Sequence, residues 1–254
     1  MVRLSAVLLA GYLIWMGQPA QAAEPVDVAL VLVTDVSRSI DDSEFELEKQ
    51  GYAMAFTNPE VLAAIKGGAL GAIAVNYVEF ASTYEVSTVI DWTVIRDEPG
   101  ARAFAARLTA TPRSYYGRTA IGSGIELAIR NIAASGFEAQ RRVIDVCGDG
   151  TSNNGPDVSD MRDAAVAAGI TLNGLAITND HPVSWTFAHV QPPGGLANYY
   201  RENVTGGAGS FVLEVHDFQT FGTAMTRKLI DEIAVNAPRG GHSFGGGLAS
   251  ASAR

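Results

Sequence analysis

Residues 26–34 (VDVALVLVT) constrain the fold more than any other stretch of the chain. Apart from Asp27 and the closing threonine they form an apolar run rich in β-branched side chains. A strand with one face in water alternates apolar and polar residues. A run without that alternation suits a strand buried on both faces, as in a parallel sheet covered by helices on either side.

The rest of the chain supplies the other elements such a sheet needs. Residues 41–43 (DDS), with Glu44 and Glu46, carry helix-start chemistry ahead of Phe45, Leu47, Tyr52 and Phe56. Asn58-Pro59 ends that helix and begins a short one, closed by Gly67-Gly68. Residues 72–80 (AIAVNYVEF) read as a second strand and 84–90 (YEVSTVI) as a third. The short gap between them permits a hairpin and not a crossover, so these two strands are expected to be antiparallel. Helices are expected from Pro99 to about residue 109 and from Thr119 to about 135, the second with the stripe Ile121, Ile125, Ile129 and Ile132. Residues 142–147 (RVIDVC) read as a fourth strand. A helix over 157–168 with Gly169 as its C-cap, strands at 170–177 and 210–215, and a helix over 218–234 follow. Strand–helix alternation of this kind predicts an α/β sheet with helices on both faces.

The two ends differ from the middle. A single charge at Arg3, an apolar stretch over 4–16, a break at Gln18-Pro19 and the A-x-A triplet Ala20-Gln21-Ala22 follow the order of a secretory signal. The apolar stretch is shorter than the roughly twenty residues of a spanning helix. Residues 1–22 are therefore expected to be a signal peptide, 23–237 the folded domain, and the protein periplasmic or secreted. From 238 a Gly/Ser-rich tail is expected to be disordered. A net charge of −9 repels phosphate backbones, which argues against nucleic acid as a partner. The single cysteine, Cys147, cannot form an internal disulfide, so an exported chain must rely on its apolar core. Cys147 itself reads as a small buried hydrophobe.

Asp35-Val36-Ser37-Arg38-Ser39 immediately follows the first strand, and Gly148-Asp149-Gly150 the fourth. Open α/β sheets bind ligands beyond the carboxyl ends of their strands, where the strand order reverses. Thr119 opens the helix leading into strand four, so its hydroxyl should reach the same rim. Asp35, Ser37, Ser39, Thr119 and Asp149 are all hard oxygen donors, a set that suits Mg²⁺, Mn²⁺ or Ca²⁺ and offers neither sulfur nor imidazole for zinc or copper. Mg²⁺ takes six oxygens and commonly keeps waters, so a site with only two carboxylates leaves a position that an acidic partner side chain can fill.

This motif, with Thr119 and Asp149 following in order, resembles the metal-ion-dependent adhesion site (MIDAS) of von Willebrand factor A (vWA) domains. The resemblance covers about residues 26–235. It implies a Rossmann-like, mostly parallel six-stranded sheet in the order 3-2-1-4-5-6 with strand three antiparallel, and it implies all five residues as metal ligands. More narrowly, DVSRSID, NPEVLAAI, GRTAIGSGIELA, RRVIDVCGDGTSNNG, AGITLNGLAI and NYYRENVTGGAGSFV are similar to a family of exported bacterial proteins with this domain, to which no activity is attached.

The leading expectation is an extracytoplasmic, metal-dependent module that binds a protein or peptide bearing an Asp or Glu carboxylate, with no catalytic residues. The alternatives are a metal-assisted phosphohydrolase, or a scaffold whose metal only stabilises loops. Haloacid-dehalogenase-type phosphatases also place an Asp after strand one, but with a second Asp two residues on as general acid; Ser37 stands there instead and cannot do that job. No nucleophile elbow, H-E-x-x-H or P-loop is present.

Some residues fit this picture less simply. Asp145 and Asn76 fall inside buried strands and are expected to sit in satisfied polar networks. Asn153 and Asn154 read as turn formers. The long connection over 178–209 holds His181, Trp185, His189, Tyr199, Tyr200 and Arg201. Its aromatics are expected to form a packed mini-core and its histidines not to be ligands.

Overall fold

A computed structural model of the protein describes residues 23–178 and 192–234. The expected signal peptide and tail, and with them His181, Trp185 and His189, lie outside the described residues. The sheet has six strands in the order β3-β2-β1-β4-β5-β6. They are β1 (Glu24–Asp35), β2 (Ile73–Phe80), β3 (Val86–Ile95), β4 (Phe137–Gly148), β5 (Thr171–Ile177) and β6 (Val212–Val215). Only β3 runs antiparallel, against β2. The fold is thus the Rossmann-like α/β arrangement expected.

Seven helices accompany the sheet among the described residues: α1 (Asp42–Thr57), α2 (Pro59–Lys66), α3 (Glu98–Ala110), α4 (Ile121–Ala133), α5 (Val158–Ala167), α6 (Leu196–Tyr199) and α7 (Phe221–Ile233). Local chemistry starts most of them. Asp41 and Glu44 form a reciprocal capping box on α1, Asn58 caps α2 with Pro59 behind it, and Asp97 and Asp157 cap α3 and α5.

β1 is buried on both faces, as its apolar run requires. Leu30 and Leu32 face a core built with Phe45, Tyr52 and Phe56 of α1, Phe104 of α3 and Phe221, Met225 and Leu229 of α7. Edge-on ring contacts tie these helices together, Tyr52 to Phe221 at 5.1 Å and Phe56 to Phe104 at 4.9 Å. Val31 and Val33 face the opposite core, with Ile121, Ile125 and Ala128 of α4. A Cβ at Gly124 would stand 2.6 Å from Val33 Cγ1, so the glycine lets α4 lie close against the sheet. That closeness fixes the start of α4, and with it Thr119, at the sheet rim.

Two expectations need correction. β3 begins at Val86 and not at residue 84, because Ser82 to Glu85 form a tight turn closed by Glu85 N–H to the Ser82 carbonyl at 2.9 Å. β4 begins at Phe137, well before residue 142. Its first half alternates half-buried and exposed residues while pairing with the start of β1, so the charges of Glu138, Arg141 and Arg142 mask it in the sequence. The long connection carries structure of its own, α6 followed by a π-helical turn over Tyr200–Val204.

Of the two polar residues expected in satisfied networks inside strands, Asn76 is hydrogen-bonded, whereas Asp145 has Lys228 as its one ion-pair partner among the described residues and no hydrogen bond at either oxygen. Asn76 donates to the Ile90 carbonyl at 3.1 Å and accepts from Asn131 Nδ2 at 2.8 Å. Asp145 meets Lys228 of α7, Oδ1 to Nζ at 2.6 Å. Lys228 also pairs with Glu232 one turn along, and Glu232 accepts from Asn173 of β5 at 2.9 Å. All four side chains are buried. Burial pushes the Asp145 carboxyl up, partly offset by Lys228. Burial and then the Asp145 charge push Glu232 up to about 7. Burial alone would lower the Lys228 ammonium, but the two carboxylates outweigh it and hold it above its ordinary value.

Candidate metal centre

Asp35 is the last residue of β1, where the chain leaves the sheet fully buried. Its Oδ1 accepts from the Ser37 N–H at 2.8 Å, a short side-chain turn that folds the next residues back over the strand end. Ser37 Oγ then lies 2.9 Å from Ser39 Oγ. Ser39 Oγ donates to Asp149 Oδ1 at 2.9 Å, and Thr119 Oγ1 donates to Ser37 Oγ at 3.2 Å. The structure therefore brings all five residues together in one hydrogen-bonded chain drawn from three segments. Asp35, Ser37, Thr119 and Asp149 are buried and Ser39 is partly exposed. At Gly148 a Cβ would stand 2.9 Å from Asp35 Cβ, so a glycine lets β4 deliver Asp149 this close to the end of β1.

The surrounding loops hold the set in place. Asn153 grips Thr119 from both sides: its N–H donates to the Thr119 carbonyl at 2.9 Å, and its Oδ1 accepts from the Thr119 N–H at 3.2 Å. Asn154 Oδ1 accepts from Thr83 N and Oγ1 at 2.8 and 2.6 Å. Reading these two asparagines as turn formers undervalues them, since each ties the loop after β4 to another loop of the rim. Tyr200, in the π-helical turn, is fully buried; its hydroxyl would stand 2.9 Å from a Gly148 Cβ, on the same side as Asp35. Glu48 of α1 is also buried near the set. Burial pushes its carboxyl well above the usual range; a hydrogen bond with Cys147 opposes this, and the charges of Asp35, Asp149 and Glu79 add to it.

Sequence reasoning missed Arg113. Its guanidinium is nearly enclosed and donates to the Val36 carbonyl at 2.9 Å and the Ser37 carbonyl at 2.6 Å. It lies over the Tyr116 ring at 4.3 Å. A single arginine in a loop carries no sequence signal for this. Its fork clamps the backbone of the loop that presents Ser37 and Ser39, which a lysine's point charge cannot reproduce. Arg113→Ala is expected to cost about 2 kcal/mol or more in urea denaturation, because it leaves two inward carbonyls without their donor, and Arg113→Lys should recover only part of that.

Ser37, Ser39, Thr119 and Asp149 line a cavity of about 320 Å³, together with Arg38, Arg118, Asn153 and Leu196. Among the described residues no three His, Cys, Asp or Glu side chains converge as a metal-holding group. The donor set is instead two carboxylates and three hydroxyls, all oxygen, and its chemistry fits a hard divalent cation with part of its coordination shell left over for water or ligand.

Solved structures share this architecture. Proximal thread matrix protein 1 from the mussel byssus superposes with a TM-score of 0.60 at 16% identity, covering 81% of this chain and 48% of that one. One structure of that protein has a zinc-occupied MIDAS motif. A von Willebrand factor type A protein from Catenulispora acidiphila gives 0.58 at 13% identity, covering 81% and 42%. The pilus adhesin SpaC from Lactobacillus rhamnosus GG gives 0.54 at 14%, covering 84% and 31%. The chain thus spans about half the length of the mussel protein or less of the others, and at these identities the likeness establishes a vWA-like fold alone. No curated protein sequence matches. The family model described as "Protein of unknown function (DUF1194)" matches residues 25–237, and the chain belongs to that family.

Proposed function

We propose that the protein is a metal-dependent protein-binding module working outside the cytoplasm. Asp35, Ser37, Ser39, Thr119 and Asp149 would hold Mg²⁺, or Mn²⁺ or Ca²⁺ in its place, as a MIDAS. The observation that carries this reading is the hydrogen-bonded chain of three hydroxyls and two carboxylates, of which Ser37, Ser39, Thr119 and Asp149 line one cavity and Asp35 is buried behind them. When bound, the cation supplies an electrophilic position for a carboxylate of the partner. The zinc-occupied motif of the mussel matrix protein and the likeness to a pilus adhesin support an adhesion or assembly role. We propose no catalytic residue: no His, Glu or Lys is among the described residues that line the cavity, and Ser37 stands where a haloacid-dehalogenase-type phosphatase carries its general acid and cannot act as one. Affinity capture with the mature protein from its own cell envelope tests this reading. A partner retained in Mg²⁺ and released by EDTA is expected; a partner indifferent to EDTA contradicts it.

The location rests on the signal-like residues 1–22, with the domain over 23–237 and the tail from 238 as proposed boundaries. No helix among the described residues is long and apolar enough to cross a membrane. N-terminal sequencing of protein from the cell envelope is expected to begin at Ala23 or within a residue or two. A cytosolic chain beginning at Met1 would overturn the location.

A further inference from the structure

Two arginines share the cavity with the proposed metal ligands. Arg38 lies between Ser37 and Ser39, and Arg118 immediately precedes Thr119. Their backbones are pinned. The Arg38 N–H donates to the Gly117 carbonyl at 3.0 Å, and the Arg118 N–H to Ser82 Oγ at 2.8 Å. The first of these bonds sets the two arginine-bearing loops side by side. Both residues are exposed, and neither side chain makes an ion pair or hydrogen bond among the described residues. Glu85 packs against Gly117, yet its carboxylate accepts from the Ser82 N–H at 3.2 Å and forms no ion pair with Arg118.

Acidic residues outnumber basic ones, 27 to 18. Arg96, Arg102, Arg113, Arg130 and Arg162 each take a carboxylate, while Arg107, Arg141, Arg142, Arg201 and Arg227, like Arg38 and Arg118, form no ion pair among the described residues. What sets Arg38 and Arg118 apart is that both line the cavity beside the five-residue set. Two exposed guanidiniums at one cavity of an acidic protein put positive charge where a ligand would enter. The metal does not account for them, because Asp35 and Asp149 already balance a divalent cation. Guanidinium forks match carboxylates in geometry and charge.

We propose that Arg38 and Arg118 form an anion-recognition pair beside the five-residue set, and that the ligand is an acidic peptide segment with two neighbouring carboxylates. One carboxylate goes to the set and the other to the arginines. The assignment of the first carboxylate rests on the metal-dependent reading above; the arginine pair is tested apart from it.

The test uses the mature protein and two synthetic peptides, acetyl-Gly-Asp-Glu-Gly-amide and its single-carboxylate analogue acetyl-Gly-Asp-Gln-Gly-amide, titrated by calorimetry with Mg²⁺ and again in EDTA. In Mg²⁺ the two-carboxylate peptide is expected to bind about tenfold tighter, the increment of one charge-assisted contact. The Arg38→Gln/Arg118→Gln variant should bring that ratio close to one while still binding Mg²⁺ in a titration without peptide. Arg102→Gln, the same charge change outside the cavity, should leave the ratio unaltered. Equal affinities in the wild type, or a ratio that survives in the double variant, overturn the proposal. Failure of the wild type to bind Mg²⁺ counts against the metal reading alone, and the peptide ratio in EDTA then decides the arginine pair by the same two criteria.

Discussion

Lys228→Met is expected to destabilise the domain by roughly 3–5 kcal/mol at pH 8, the range for removing one partner of a buried ion pair. Among the described residues Lys228 is the cation that contacts Asp145 and Glu232, and the cluster is closed to solvent. Methionine fills much of the same volume, so the loss measures the stranded charge and not a cavity. The cost should shrink at pH 5, where the two carboxyls can protonate. Adding Asp145→Asn and Glu232→Gln to Lys228→Met should restore much of the stability by removing the orphaned charges. Urea denaturation of the three proteins at both pH values checks this. A single variant as stable as the wild type at pH 8 would show that the cluster does not hold α7 to the sheet.

The same cluster sets a pH dependence. Glu232 stands at about 7 when folded, against roughly 4.3 for a free glutamate. The folded state therefore holds this proton more tightly than the unfolded state. Its contribution to stability is complete below about pH 4 and is lost as pH rises through 7. Asp145, also pushed up, has the same sign. Between pH 5 and pH 8 the wild type should lose stability relative to Glu232→Gln, which lacks the proton-linked contribution.

How much of this could be read in the sequence depends on whether a residue's task is local. The sheet was legible because unbroken apolar runs identify strands buried on both faces, and because a three-residue gap forbids a crossover. The helix starts were legible because caps such as Asp41 with Glu44 act within a single turn. The assembly of Asp35, Ser37, Ser39, Thr119 and Asp149 was legible because strand ends in such a sheet share one rim. Lys228 was not. A lysine four residues from a glutamate on a helix looks like an ordinary solvated pair, and only the pairing of β4 beneath α7 turns it inward. Arg113 and Tyr200 act on backbone and rim residues far away in sequence, from loops without periodicity. The start of β3 was misplaced because Tyr84 and Glu85 have strand-like neighbours but are spent on a turn.

The second large effect concerns the two site carboxylates. Hydroxyls are weak ligands alone, so Asp35 and Asp149 should supply most of the attraction for a cation. Asp35→Asn or Asp149→Asn is expected to abolish Mg²⁺ binding, and Ser37→Ala or Ser39→Ala to weaken it. A metal that binds only the folded state stabilises it, and free Mg²⁺ at ten times Kd is worth about 1.4 kcal/mol. The wild type should show that gain in thermal unfolding. The Asp variants should not, yet they should remain folded, since the two cores lie on the sheet faces and not at its rim.

Calorimetric titration of Mg²⁺ into the mature wild type, Asp35→Asn and Asp149→Asn tests the central claim most directly. The account predicts a single saturable site in the wild type and no measurable heat of binding in either variant. Normal Mg²⁺ binding by the Asp variants, or none by the wild type, would contradict it.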